Sequence, residues 1–265
     1  AIKRFNDRNH SNIVDELAKM FDRSIIGYEH VKKGLLLCAV NSYGDNVSLC
    51  GSNNLRRERI HALLIGESGL AKSKFLRAIK KLVPNSRYES GQNSSGKSLT
   101  AIVSKEDENY MLRLGPASLA KNAVCAINEF GRTKFEDQAH FLDIMEEGKF
   151  TINKHGINAT IEATTSLIFS ANPINGSNWS NEDRIDIDEI PALKPIIDRT
   201  DLTFVFRNTK DEDLIREYAM LKSEFENKKI PDYSNYLIKH LEFAKKLNPK
   251  ISDEAKTMLS QFFIS

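Results

Sequence analysis

The stretch Gly66-Glu67-Ser68-Gly69-Leu70-Ala71-Lys72-Ser73 has the residue types and spacing of a phosphate-binding loop. Its glycines let the backbone curl until successive N–H groups point inward at anionic oxygens. A helix opening at Ser73 aims its positive end at the same anion. Lys72 then reaches the outer phosphates, and the Ser73 hydroxyl ligates magnesium. Ala71 stands where the usual spacing has glycine, one methyl group more. Asn128-Glu129 close one apolar run, Asn172 closes another, and Arg199 lies just before a third. Polar residues at the C-terminal ends of buried strands sit where α/β sheets bind their ligands.

Positioning such groups requires a sheet. Five short apolar runs read as strands: 60–65, 87–89, 123–127, 166–170 and 202–206. Continuous rather than alternating hydrophobicity means burial on both faces, as in a parallel sheet covered by helices. Helical periodicity falls at 12–21, 29–39, 72–82 and 136–147, giving the layered α/β class. Residues 44–54 read as a loop or hairpin. After residue 206 the strands stop, and 212–226, 233–247 and 253–263 read as helices. Residues 150–161 alternate apolar and polar around Lys154-His155-Gly156, a hairpin signature with that tripeptide as its turn.

Composition narrows the partners. The 265 residues, 40% hydrophobic and 28% charged, suffice for a real core. No run approaches the length of a membrane span. The chain begins at Ala1 with no basic-then-apolar leader, which gives no sign of secretion and suggests an excised fragment. Three cysteines (Cys38, Cys50, Cys125) fit reduced thiols better than a disulfide framework. With 38 basic and 36 acidic residues the net charge is +2, so nucleic-acid contact has to come from a local patch. His140 and His155 lack partners at metal-ligand spacing and read as ordinary surface or half-buried histidines.

The loop GESGLAKSK, with alanine before its lysine, resembles that of the MCM replicative helicases within the AAA+ ATPases. Other segments match in the same order. Residues 24–34 are similar to the stretch leading into the first AAA+ helix, and 87–101 to the strand and helix insertion after the phosphate loop. Residues 150–157 resemble the pre-sensor hairpin, and 196–206 the arginine-finger region. The resemblance implies an AAA+ P-loop core, a five-stranded parallel sheet between helices, over residues 1–206. A truncated helical lid then covers 207–265, ending about where the family's sensor-arginine helix would begin. The family's amino-terminal region, with its oligonucleotide-binding fold and zinc site, is expected to be missing.

The same resemblance assigns ATP and Mg2+ as cofactors. It implies phosphate and nucleotide contacts from Glu67, Ser68, Gly69, Leu70, Ala71, Lys72, Ser73 and Lys74, and adenine contacts from Ile25, Ile26 and Gly27. Glu129 would activate water, Asn172 would act as the sensor, and Arg199 would reach a neighbouring subunit's γ-phosphate. Ser73 and Asn128 would serve the metal, although the family carries aspartate at position 128. A neutral amide gives up the charge attraction that a hard dication prefers. Lys154, and more weakly Lys97, would touch DNA phosphates without sequence preference. The expected partners are DNA and further copies in a hexamer, with no membrane. The expected location is cytoplasmic and nucleoid-associated, or nuclear in a eukaryote. An alternative is a degenerate relative that binds nucleotide and partners but hydrolyses little, favoured by Asn128 and Gly131-Arg132-Thr133. A different AAA+ remodeller or loader is disfavoured by the hairpin lysine.

Overall fold

The computed structural model describes residues 13–41, 59–91, 99–107, 109–133, 135–174, 179, 187–190, 194–208, 215–216, 219–220, 222–223, 232–247 and 252–264. Two helices lead the fold, α1 (Ile13–Met20) and α2 (Glu29–Asn41). Then follow β1 (Ala62–Gly66), α3 (Lys72–Leu82), β2 (Arg87–Ser90), β3 (Ala101–Glu106), β4 (Asn109–Leu114) and the single turn α4 (Pro116–Leu119). The middle of the chain forms β5 (Val124–Asn128), α5 (Phe135–Glu147), β6 (Lys149–Lys154), β7 (Ile157–Glu162) and β8 (Ser166–Ala171). Last come α6 (Lys194–Asp198), β9 (Leu202–Phe206), α7 (Ser234–Ala244) and α8 (Asp253–Ile264).

The five strands expected from the apolar runs form one sheet in the order β2-β5-β8-β1-β9, parallel throughout. Every residue of β1 and β8 is buried, as continuous hydrophobicity requires, whereas the edge strands β2 and β9 are partly exposed. Two apolar clusters cover the two faces. One joins Phe21, Val31, Phe75 and Ile79 with Leu64, and takes in Leu237 and Leu241 of α7. The other joins Phe130, Phe141 and Phe169 with Leu63, Ile65 and Trp179. Adjacent residues of β1 face opposite clusters, the period-two alternation of a strand between two layers.

Two antiparallel hairpins stand off the sheet, β3–β4 and β6–β7. The second is the one the alternation predicts. Its turn is His155-Gly156, both at positive φ, and Lys154 is the last residue of β6 rather than part of the turn. Of the strand and helix expected in 87–101, β2 is the strand, while 92–98 lie outside the described residues; Ala101 then opens an antiparallel pair that the sequence reading does not contain, Ala101 opposite Leu114 and Glu106 opposite Asn109. The two hairpins touch through Tyr110 and His155, whose rings stack with centroids 4.4 Å apart and 4° between planes. The loop or hairpin expected at 44–54, Cys50, Lys97 and most of the helix expected at 212–226 lie outside the described residues. Cys38 and Cys125 are buried free thiols, each pushed up to about 12 chiefly by desolvation.

One contact at the end of β1 fixes how the phosphate loop leaves the sheet. Gly66 has φ +155°, and a Cβ there would lie 2.0 Å from the Phe206 carbonyl oxygen. That carbonyl accepts hydrogen bonds from the Glu67 N–H (3.2 Å) and the Trp179 indole N–H (3.2 Å), so it has little room to yield. Gly66→Ala is therefore expected to destabilise the fold by about 2 kcal/mol or more. The check is a lower urea midpoint at unchanged slope; an unchanged midpoint would mean that the close approach is not maintained in solution.

Candidate functional site

Parallel pairing brings three strand ends to one edge. Ile127 pairs with Phe169 across β5 and β8, and Ile65 pairs with Ala171 across β1 and β8. Asn128-Glu129, Asn172 and the loop after Gly66 must therefore emerge side by side. They line one cleft of ≈ 260 Å³, its floor formed by residues 68–74 and its wall by Asn128, Glu129, Ser170, Ala171 and Asn172.

The loop is held in the shape that a phosphate requires. Ala71 takes a left-handed conformation (φ 61°, ψ 6°) immediately before α3, where a glycine would be unstrained. Nothing lies within 4 Å of a Cβ built on Gly69, so its positive φ rather than close packing calls for glycine there. Lys72 is 7% exposed, and its Nζ donates to the carbonyls of Gly66 (2.7 Å) and Glu67 (2.6 Å). Those carbonyls are weak partners for a buried cation. Desolvation brings the ammonium down from 10.5 to about 8, against the opposing pull of Glu67.

Ser73 and Asn128, both expected to serve the metal, face each other. The Ser73 hydroxyl donates to Asn128 Oδ1 at 2.7 Å. A third group, which the sequence reading does not single out, joins them: Ser170 Oγ donates to the same oxygen at 2.9 Å. The donor set is oxygen only, hydroxyl and amide carbonyl, which suits a hard cation such as magnesium. Among the described residues, no group of three or more His, Cys, Asp and Glu side chains could hold a metal ion. Magnesium in this cleft would thus be shared with nucleotide phosphates and water, and the residues fit it on those terms.

Glu129 has left-handed backbone (φ 55°, ψ 47°) at the turn that leaves β5. Its carbonyl packs where Gly91 has no side chain, 2.5 Å from a Cβ built there. One carboxylate oxygen, Oε2, is buried without a hydrogen-bond partner and lies 3.7 Å from Arg132 Nη1. The Glu129 side chain as a whole lines the cleft, where a carboxylate within hydrogen-bond reach of water can accept its proton; Oε2 is the end turned away from solvent, toward Arg132. The expected adenine contacts are placed differently. Ile25 is 3% exposed within the core cluster containing Phe75, and Ile26 and Gly27 are half-buried in the turn before α2. None of the three lines the phosphate cleft itself.

Arg199 is at the other end of the sheet. Leu202 pairs with Ala62 at the start of β1, whereas the phosphate loop follows its last residue. The Arg199 guanidinium pairs with Glu146 at the end of α5 (2.9 Å), not with Asp198 or Asp201; Asp201 instead accepts the His61 backbone N–H at 2.8 Å. Five strand residues at ~3.3 Å each separate this arginine from the cleft of its own chain. Lys154 is exposed at the tip of the β6–β7 hairpin.

A phosphate loop opening α3, with polar strand ends beside it on a parallel sheet of order β2-β5-β8-β1-β9, defines an α/β P-loop ATPase core of the AAA+ type. Within that class the chain belongs to the MCM family: the family model for the MCM P-loop domain matches residues 1–221. It is 33% identical over 268 residues to the DNA replication licensing factor MCM4 of Drosophila melanogaster, covering 96% of this chain and 30% of that protein. It is 30% identical over 266 residues to MCM6 of Arabidopsis thaliana, covering 97% and 31%. Against mcm4-B of Xenopus laevis it is 31% identical over 269 residues, covering 96% and 30%. The chain thus spans about three-tenths of the length of these relatives. No helix among the described residues is long and apolar enough to cross a membrane.

The position of the Lys72 titration sets a pH dependence. Above about pH 8 the free protein has lost the Lys72 proton and must regain one to bind a polyphosphate. Nucleotide affinity is therefore expected to fall as pH rises above about 8. Stability without nucleotide runs the other way. Between 8 and 10.5 the unfolded lysine binds a proton that the folded one does not, so Lys72 contributes a rise of stability with pH in that window, which the two buried thiols oppose above pH 9. Lys72→Met should abolish the slope in affinity, remove the Lys72 share of the slope in stability while leaving that of Lys245, and weaken ATP binding roughly ten-fold or more, the loss of one charge-assisted contact of about 1.5–3 kcal/mol. Calorimetric ATP titrations at several pH values check this. Unchanged affinity in the variant would end the phosphate-loop assignment.

Proposed function

We propose that this chain is the ATP-binding and hydrolysing motor domain of an MCM-type hexameric helicase that translocates on or unwinds DNA during replication. The names of its relatives, DNA replication licensing factors, support the replication setting. In a eukaryotic source that setting is nuclear. The observation that carries the proposal is the division of the catalytic groups. Lys72, Ser73, Glu129 and Asn172 line one cleft, while Arg199 lies at the opposite end of the same sheet. A ring of copies is the simplest arrangement that unites them.

In this reading the Lys72 ammonium exchanges two loop carbonyls for the outer phosphates of ATP. The backbone N–H groups from Glu67 to Lys74 surround the inner ones. Ser73 and the Asn128 amide oxygen would hold magnesium, which would supply charge neutralisation at the phosphates. Glu129 takes a proton from the attacking water, and Asn172 holds that water or the γ-phosphate by hydrogen bond. Arg199 leaves Glu146 to meet the phosphate bound by a neighbouring copy. Ile25, Ile26 and Gly27 contact the adenine from the turn before α2. Lys154, with Lys97, meets DNA phosphates. The core ends at Phe206, and 207–265 form part of a helical lid of which α7 is packed against α1, α2 and α3.

A second reading is supported by one specific observation, the amide at position 128. The chain would then bind nucleotide and partners with little hydrolysis. Steady-state turnover separates the two. For the motor, turnover per chain rises with protein concentration and with added single-stranded DNA. Arg199→Ala should lower it on the order of 10³-fold, the usual contribution of such an arginine, with ATP affinity unchanged. Lys154→Ala should weaken DNA binding and reduce its log–log salt slope by about 0.7, one phosphate on a single strand. Tight ATP binding with no turnover at any concentration would establish the second reading. Turnover independent of concentration and of Arg199 would refute the shared site.

A further inference from the structure

Asn128 presents a problem that an aspartate would not. A carboxylate offers oxygen from either end, whereas an amide offers oxygen from one end and N–H donors from the other. If the amide turned over, its NH2 group would face the position beside Ser73 and repel a cation. Ser73 cannot prevent this, because a hydroxyl accepts from an N–H as readily as it donates to a carbonyl. Something else has to decide which end of the amide faces the cleft.

We propose that Ser170 is the positioning residue that fixes the Asn128 amide with its oxygen toward Ser73 and the metal. Ser170 is 2% exposed on the central strand β8, paired with Leu64 of β1 one step beyond the Phe169–Ile127 pair. Its oxygen accepts the Glu129 backbone N–H at 3.4 Å, and a backbone N–H can only donate. With one lone pair so occupied, the buried hydroxyl still has its own proton to place, and it donates that proton to Asn128 Oδ1 at 2.9 Å; an amide turned the other way would leave the proton without this acceptor. The result is a one-way chain, Glu129 N–H to Ser170 to Asn128, which Ser73 completes from the other side at 2.7 Å. Ser170 is the buried member of the chain, while Ser73, Asn128 and Glu129 border the cleft. The chain also ties the amide to the backbone of Glu129, so the metal-side and water-side groups are held together.

This inference rests on the magnesium reading above, and the test separates the two. Binding of a non-hydrolysable ATP analogue to the full chain is measured by calorimetry across a magnesium series. The wild type is compared with Ser170→Ala, the near-isosteric Ser170→Cys, Asn128→Asp and the double variant Asn128→Asp/Ser170→Ala. Ser170→Ala is expected to raise the magnesium concentration needed for half-maximal tightening about three- to ten-fold, the effect of one hydrogen bond. Affinity without magnesium should stay as in the wild type. Ser170→Cys, a poor donor, should move in the same direction. In the Asn128→Asp background the Ser170→Ala shift should shrink to within two-fold, because a carboxylate has no wrong end. An equal shift in both backgrounds, or none in either, would overturn the role of Ser170 while leaving the site intact. Wild-type binding indifferent to magnesium would overturn the metal reading and this inference with it.

Discussion

The register of the parallel sheet is the constraint on which the site depends. Backbone hydrogen bonds set Leu64 beside Ser170 and Ile127 beside Phe169, with no reference to what the next residues do. Because the strands run the same way, three chain segments must leave the sheet at one edge, each with the same pleat phase. A one-residue slip of β5 against β8 would turn Asn128 from Ser73 into the opposite apolar layer. The apolar clusters on both faces forbid such a slip, since it would drive Val124, Cys125, Ala126 and Ile127 each to the wrong side. Core packing thereby enforces a hydrogen bond in the cleft to a fraction of an ångström.

Within that frame the cleft is assembled from individually unfavourable elements. Ala71 and Glu129 both hold left-handed backbone, which costs about 1–2 kcal/mol per residue without glycine. A lysine is buried with only carbonyls for company, and a carboxylate oxygen is buried without a donor. The buried lysine is the one that nucleotide would relieve. A bound polyphosphate gives Lys72 a full counter-charge and gives the loop N–H groups an acceptor. Opposite charges also divide the labour in space: the basic group lies on the loop after β1, the acidic one after β5, with neutral Asn128 between them.

Much of this was legible in the sequence because the signals are covalently local. The five sheet strands fall within two residues of the apolar runs that announce them, and α3 occupies 72–82 as its periodicity predicts. The phosphate loop is visible because its chemistry needs contiguous residues. The β3–β4 hairpin was missed for a different reason. Residues 101–114 alternate through Val103, Lys105, Tyr110 and Leu112 about a polar turn, yet the preceding glycine- and serine-rich stretch draws attention to itself. Ser170 carries no signal at all, since a serine inside SLIFSA reads as a small filler in a buried strand. Only the pairing of β8 with β5 shows that its hydroxyl meets an amide 42 residues away. Arg199 likewise has two aspartates as sequence neighbours, but its partner is Glu146 on α5.

That helix links the two ends of the problem. α5 begins just after the turn that follows Glu129 and runs directly into β6, whose tip carries Lys154. At its start, Asp137 accepts from the Thr100 hydroxyl (3.0 Å) at the root of β3, and His140 meets the same hydroxyl at 3.0 Å. At its end, Glu146 holds Arg199. One face of this 13-residue helix is packed into the core through Phe141, Ile144 and Met145, where interiors of crystal-like density leave few voids into which side chains can retreat. The Tyr110–His155 stack then joins the two hairpin tips, so neither moves without breaking an aromatic contact. Glu129 and Lys154 are thus borne by one short continuous segment, 129–154, to which Arg199 is clasped through Glu146. The strand end that carries Glu129 and the hairpin that carries Lys154 are separated by this one helix and the short turn before it.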